Sequence, residues 1–333
     1  MEKAYLVKQI EGNSIVRVLI LTMLVFLMLT SISSATTYSY IPNFKDNTVS
    51  VINIYTNNNV DTIPVGSLPY GIAVNQARTH AYVTNWGSNT VSIIDALTNK
   101  VTGNITVGGC PSGIAVNPVG TRVYVANSKS NTVSVIDAVT KQLIKTVPVG
   151  SVPLGVAVNP GGTRVYVTNY GSYNTPSNTV SVIDALTNTV IGSITVGDCP
   201  SGIVVNPLGT EVYVANSKSN TVSIIDTIDN EIDVNLSVGA SPFGVTVNPG
   251  GTRVYVTNGK SNNVTVIDTV TNAVADTINV GSYPVGVSVN PAETKVFVAN
   301  HDSNTVSIIN ALTNEVTDTI SVGRWPTAFG NFI

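Results

Sequence analysis

The sequence predicts an all-β fold, a seven-bladed β-propeller of four-stranded antiparallel blades whose ring is closed when the C-terminal strand completes the N-terminal blade. Three observations carry this expectation. A short motif opening on an aromatic residue recurs at Tyr40 (YIPN), Tyr82 (YVTN), Tyr124 (YVAN), Tyr166 (YVTN), Tyr213 (YVAN), Tyr255 (YVTN) and Phe297 (FVAN). Its spacing is 42 residues five times and 47 once, and a period of this size is that of a propeller blade. Only 11% of the residues are charged, while Val, Ile, Thr, Asn and Gly are abundant, a composition that favours strands joined by Gly/Asn turns over helices.

Each full unit reads P-x-G-V/I-x-V-N-P, then RVYVTN, then SNTVSVIDA, then xVxxTIxVG. These are four β-branched segments separated by turn chemistry: Asn-Pro with Gly-Thr, Ser-Asn, Asp-Ala-x-Thr-Asn and Val-Gly. The unit at Tyr40 lacks the first of its four strands. The C-terminus holds the complement: after Val322-Gly323 the chain runs RWPTAFGNFI, with Pro326 in register with Pro284 and Pro242. Blade 1 is therefore expected to combine residues 36–66 with 326–333, which removes two open sheet edges. Residues 36–333 form a single propeller on this reading, with nothing left over for a second domain.

Residues 1–35 read as a separate element. Lys3, Lys8 and Arg17 precede the apolar run VLILTMLVFLML (18–29), and TSISSA then puts Ser33 and Ala35 at the small-residue positions of a cleavage site. This is the layout of a secretory signal peptide, so the mature chain is expected to start at Thr36 and to be secreted or held at the cell surface. An uncleaved anchor stays open, because the run extended through Ala35 reaches 18 residues, near the lower limit for spanning a bilayer. The net charge is -3 and no basic block follows a phosphate backbone, which argues against nucleic acid as a partner.

The search for chemistry gives no catalytic residue, metal site or cofactor. His80 lies before a second strand and His301 after one, so they fall on opposite faces and cannot share a metal. Asp95, Asp137, Asp184, Asp226 and Asp268 recur once per blade at one turn, where a carboxylate caps backbone N–H groups. G-x-x-x-x-G recurs, as at Gly66 and Gly71, but always without the Lys-Ser/Thr half of a phosphate loop. Cys110 and Cys199 share one slot two blades apart, which on a ring of about 10 Å radius separates them by roughly 15 Å, beyond bridging distance.

The aromatic residues break the repeat more informatively. The position after the motif Asn holds Phe44, Trp86, Ser128, Tyr170, Ser217, Gly259 and His301, and the residues flanking the first-strand proline include Trp325, Tyr70, Phe243 and Tyr283. All are expected on one face. Because the ring closes, blades 7, 1 and 2 are neighbours and gather Tyr283, His301, Trp325, Phe44, Trp86 and Tyr70, with Arg324 beside them. Two readings stand: a binding patch for carbohydrate or protein, or rings that cover the closure seam. The extension GSYNTP in blade 4, with Tyr170 and Tyr173, is read as an elaborated rim loop on the far side. Asn104, Asn235 and Asn263 are candidate N-glycosylation acceptors.

The YVTN/YVAN motifs with SNTVSVIDA resemble the YVTN family of seven-bladed β-propeller repeats, known from archaeal cell-surface and surface-layer proteins. The resemblance covers residues 36–333. It implies a non-enzymatic extracellular structural or interaction module whose partners are cell-envelope proteins or glycans, with membrane contact only through an uncleaved N-terminal segment. A propeller enzyme of lactonase or lyase type and a soluble sugar-binding lectin are the alternatives.

Overall fold

The computed structural model describes residues 37–172 and 174–333; the predicted signal segment and Tyr173 lie outside the described residues. Seven antiparallel sheets follow one another along the chain. Blade 1 contains β1 (Tyr38–Asn43), β2 (Thr48–Asn53) and β3 (Asn58–Pro64), and blade 2 contains β4 (Pro69–Val74), β5 (His80–Asn85), β6 (Thr90–Asp95) and β7 (Lys100–Thr106). Blades 3 to 7 repeat the blade 2 pattern from Pro111, Pro153, Pro200, Pro242 and Pro284. The one helical element among the described residues is a 3-10 turn at Gly259–Ser261.

Strand composition follows position in the blade. The second and third strands are covered on both faces by neighbouring blades, and segments such as VYVAN and VSVID are buried almost throughout. The fourth strand is an outer edge, and its residues are mostly exposed. Thr, Asn, Lys and Asp there, with a β-bulge against the third strand in each blade, discourage pairing with another chain. The core is consequently a ring of clusters between blades. The motif aromatics Tyr40, Tyr124, Tyr166, Tyr213, Tyr255 and Phe297 are all at most 1% exposed, and burial pushes the Tyr82, Tyr124 and Tyr255 phenols up from their ordinary value.

The rest of the motif explains itself in hydrogen bonds. The Asn85 Nδ2 donates to Thr90 Oγ1 at 3.0 Å and to Ser92 Oγ at 2.9 Å. Every blade repeats this pair, with Asn263 and Thr265 in place of Thr and Ser in blade 6, so the last letter of YVTN and the Thr and Ser of SNTVS form one buried network. The Gly of Val-Gly lies against the same amide: a Cβ on Gly66 would overlap the Asn85 side chain. Blades are also tied across their outer ends. Nη1 of Arg122, Arg164 and Arg253 donates to carbonyls of Ala185, Thr227 and Ala311 in the next blade, and Lys295 Nζ reaches Ile54 O at 2.9 Å.

The closing segment is less regular than the first strands of the other blades. Pro326 bridges Asn43, as Pro69 faces Asn85, and Tyr40 N donates to Phe332 O at 2.9 Å. Between these points the chain bends inward, through φ 43° at Ala328 and 126° at Gly330. Ile72 N and Val74 N of β4 donate to Phe329 O and Asn331 O. The segment thus bonds to blades 1 and 2 together. A glycine is required at 330, because that φ excludes L side chains and a Cβ would meet the Ile72 carbonyl.

The recurrent turn aspartates cap backbone as the repeat suggested. The Asp95 Oδ1 accepts from Leu97 N, Thr98 N and Thr98 Oγ1, and the Thr98 hydroxyl, then its N–H, hold the carboxyl below the usual range. The N–H, then the hydroxyl, of Thr140, Thr187 and Thr271 lower Asp137, Asp184 and Asp268. A depressed folded pKa gives stability that is present above the unfolded value of about 3.9 and lost as pH falls through the folded value. The melting temperature should hold steady from pH 7 to about 5 and drop below about pH 4. Asn53 and Asn310 cap the same turn in blades 1 and 7, so Asp137→Asn should keep the fold and flatten part of that acid drop; a drop of unchanged steepness in a multiple Asp→Asn variant would refute the assignment.

Candidate functional site

One backbone slot organises the face on which the predicted aromatic residues lie. The residue before each first-strand proline takes positive φ, between 49° and 58°, at Leu68, Cys110, Val152, Cys199, Ser241, Tyr283 and Trp325. Such a conformation costs a non-glycine residue on the order of 1 kcal/mol or more, and paired hydrogen bonds hold it. Trp325 N donates to Asn304 Oδ1 of blade 7 at 2.9 Å, and Trp325 O accepts from Phe44 N at 3.0 Å. Tyr283 is clamped likewise by Asn262 and His301 N. The Asn of SNTV therefore sets the side chain that the next blade presents. Blade 4 departs from this: its inserted loop brings Ser177 O to Cys199 N instead, at 2.8 Å. Cys110 and Cys199 are both free, and burial raises the Cys199 thiol pKa.

Five of the seven predicted residues line one pocket. Phe44, Tyr70, Tyr283, His301 and Trp325 enclose about 410 Å3 with Phe243, Val285, Asp302 and Thr327. Ring contacts run continuously around the wall: Tyr283 to His301 at 5.9 Å, His301 to Trp325 at 4.9 Å, Trp325 to Phe44 at 6.3 Å and Phe44 to Tyr70 at 6.3 Å. Phe329 of the closing segment packs against two of these rings, 5.9 Å from Tyr70 and 5.3 Å from Phe243. Beneath it the central channel narrows to about 30 Å3 between the inner-strand glycines and Phe329, space for little more than a water or two.

Trp86 and Arg324 stand outside it. Trp86 supports Phe44 from behind at 6.3 Å. Arg324 engages Asp46 through its backbone N–H and its Nε, both at 2.6 Å. Asp46 occupies the slot of Ser88, Ser130 and Ser303, whose hydroxyls accept the equivalent N–H in other blades. The Arg324 backbone N–H, then its guanidinium, hold the Asp46 carboxyl low. This contact belongs to the closure seam.

The polar equipment of the pocket is small. His301 Nδ1 lies 2.6 Å from Asp302 Oδ1. Thr327 Oγ1 donates to Tyr70 O at 2.7 Å. Burial keeps the Tyr70 phenol protonated, pushing its pKa well above the usual value, and the phenols of Tyr170 and Tyr283 add to the rise. A pattern of aromatic residues does not single out Val285, Asp302 or Thr327, and Phe243 belongs to blade 6, outside the 7-1-2 sector; at the mouth of the channel they meet the predicted rings.

The glycosylation candidates separate into two kinds. Asn104 and Asn235 are exposed on fourth strands, each accepting a hydrogen bond at 2.7 Å from Ser92 or Ser223. Asn263 is half-buried and its Oδ1 accepts from Asn258 Nδ2 at 2.8 Å.

Among solved structures, the chain is similar to hydrazine synthase of Kuenenia stuttgartiensis, with 22% identity over 81% of this chain and 91% of that one and a TM-score of 0.75. It is also similar to a functionally unknown protein from Desulfotomaculum acetoxidans DSM 771, with 15% identity over 88% of this chain and 99% of that one and a TM-score of 0.75. At such identities the likeness concerns the fold alone. No curated protein matches the chain. The model of the choice-of-anchor I domain matches residues 106–286, more than half of the sequence, and the chain belongs to that family.

Proposed function

We propose that the chain is an exported, non-enzymatic recognition module of the cell surface, of the YVTN surface-layer type, which takes hold of an envelope protein or glycan through its aromatic pocket. The choice-of-anchor I family associates the propeller with the cell surface, and the layout of residues 1–35 supports export. The observation that carries the reading is the pocket itself: six rings from four blades, five half-buried and Trp325 exposed, around a cavity of about 410 Å3, a size typical of ligand sites. Elsewhere on the ring the same slots hold Ser, Gly, Cys, Val and Leu as well as Trp86 and Tyr170, so the repeat itself does not demand a ring there.

The non-enzymatic reading is supported by what the rings enclose. The one carboxylate and one imidazole are engaged with each other, and the threonine hydroxyl is committed to a backbone carbonyl.

The test uses isolated cell envelopes. Purified chain should be retained by them, and Tyr283→Asn and Trp325→Asn should each reduce retention at least tenfold, the effect of removing one interface hot spot of about 1.4 kcal/mol or more. Asn tolerates the positive φ of this slot, which keeps the backbone in place. A lowered melting temperature with retention unchanged would show that the rings only cover the seam.

A further inference from the structure

Charge is divided unevenly between the pocket face and the rest of the propeller. The loops on the pocket face carry five basic residues, Lys45, Lys129, Lys218, Lys260 and Arg324, against three acidic ones, Asp46, Asp198 and Asp302; the remainder of residues 37–333 carries eight basic and fourteen acidic. A net acidic protein thus presents one basic face. The four lysines occupy a single repeat slot, two positions after the motif Asn, in blades 1, 3, 5 and 6, and all four are exposed. The acidic turns lie at the other ends of the strands, about 20 Å away for six residues, more than two screening lengths of about 8 Å at physiological salt. They do not cancel the lysines locally.

Two of these lysines flank the pocket. Lys45 Nζ lies 3.9 Å from the centre of the Trp325 ring. Lys260 follows Gly259, which is so close to the Tyr283 ring that an added Cβ would touch it. Between them, in blade 7, the slot holds Asp302, whose carboxylate lines the pocket beside His301. An apolar wall of ring faces, a carboxylate and imidazole suited to bonding hydroxyl groups, and cations outside the rim match the parts of one ligand class. A pyranose has an apolar C–H face and hydroxyl edges, and its substituents can carry negative charge.

We propose that this face binds an acidic glycan: one sugar ring seats in the aromatic pocket with hydroxyls on Asp302 and His301, and the carboxylates or sulfates of neighbouring sugars lie along Lys45, Lys260 and the lysines of blades 3 and 5. This rests on the reading of the pocket as a recognition site and specifies its ligand.

The full chain would be titrated with oligogalacturonate, with heparin oligosaccharide and with neutral dextran, each at low and high salt. Binding is expected for one or both acidic glycans, weakening at least tenfold from low to high salt, with none for dextran. The two acidic arms distinguish carboxylate from sulfate as the recognised group. Trp325→Asn should abolish binding. Lys129→Gln with Lys260→Gln, which leaves the ring wall intact, should weaken it at least fivefold and reduce its salt dependence, with melting temperature unchanged. Equal binding of dextran, indifference to the lysine pair, failure of both acidic glycans to bind, or equal affinity for a single-stranded oligonucleotide would overturn the proposal. Envelope retention that still depends on Trp325 but not on the lysines would overturn it while leaving the pocket's recognition role standing.

Discussion

Phe332→Ala should lower the stability of the propeller by about 3–5 kcal/mol, the range for emptying a fully buried aromatic site. Phe332 is 0% exposed and lies in a cluster with Tyr40, Ile52, Phe297 and Ile333 that joins blades 7, 1 and 2. Its carbonyl is bonded to Tyr40 N, so the lost ring would leave a void at the one place where the two ends of the propeller meet. This closure is non-covalent: Phe332 and Tyr40 meet by a backbone hydrogen bond and packing, and among the described residues both cysteines are free. Loosening this contact exposes the apolar face of β1 and the first strand of blade 2 together. Guanidinium unfolding monitored by circular dichroism would check the value; a shift under about 1 kcal/mol would mean that residues 326–333 are an accessory strand and that the ring holds without them.

The second large effect is expected at the centre. Gly113→Ala should cost about 3 kcal/mol or more, at the upper end for overpacking, because its Cβ would land on the Leu154 carbonyl oxygen of the next blade. Backbone cannot step aside as a side chain does. The same collision awaits Gly155 against Ser201 O, Gly202 against Phe243 O, Gly244 against Val285 O and Gly286 against Ala328 O, so each inner strand approaches its neighbour to within the size of a methyl group. Gly103, on an outer strand, is the control: its Cβ would meet nothing closer than Lys141 Cδ at 3.9 Å. Gly103→Ala should be neutral or stabilise by up to about 1 kcal/mol through the unfolded chain. Similar melting temperatures for the two variants would contradict the close-packed inner ring.

Much of the fold was legible because each blade states the same local chemistry again. The Asn of YVTN and the Thr and Ser of SNTVS are a hydrogen-bonded set, and a set that recurs with a fixed offset announces itself. The G-x-x-x-x-G spacing was legible as well, although only as a repeat that lacks the rest of a phosphate loop. Its two glycines answer to different crowding: Gly66 makes room for the Asn85 amide within its own region, and Gly71 makes room for the Ser112 carbonyl of blade 3. Nothing local to Gly71 distinguishes those causes, since the second depends on how tightly seven sheets are drawn around an axis.

The site divides along the same line. Phe44, Tyr70, Tyr283, His301 and Trp325 were found as departures from the repeat, because a ring where siblings carry Ser or Gly is visible in register. Trp86 and Arg324 share that register yet serve Phe44 and Asp46. Phe329 had no sibling to be compared with, since the closing segment takes an irregular path through Ala328 and Gly330.

The amino-acid sequence alone determined the number of blades, the order of strands and the face to which each loop belongs, because these follow from a period, an alternation of apolar and turn residues, and the fixed reach of a strand. The tertiary structure decided which residues of that face meet and whether the channel is open. Those outcomes depend on the radius at which seven inner strands pack, glycine to carbonyl, and on the inward bend that sets Phe329 beneath the aromatic rings.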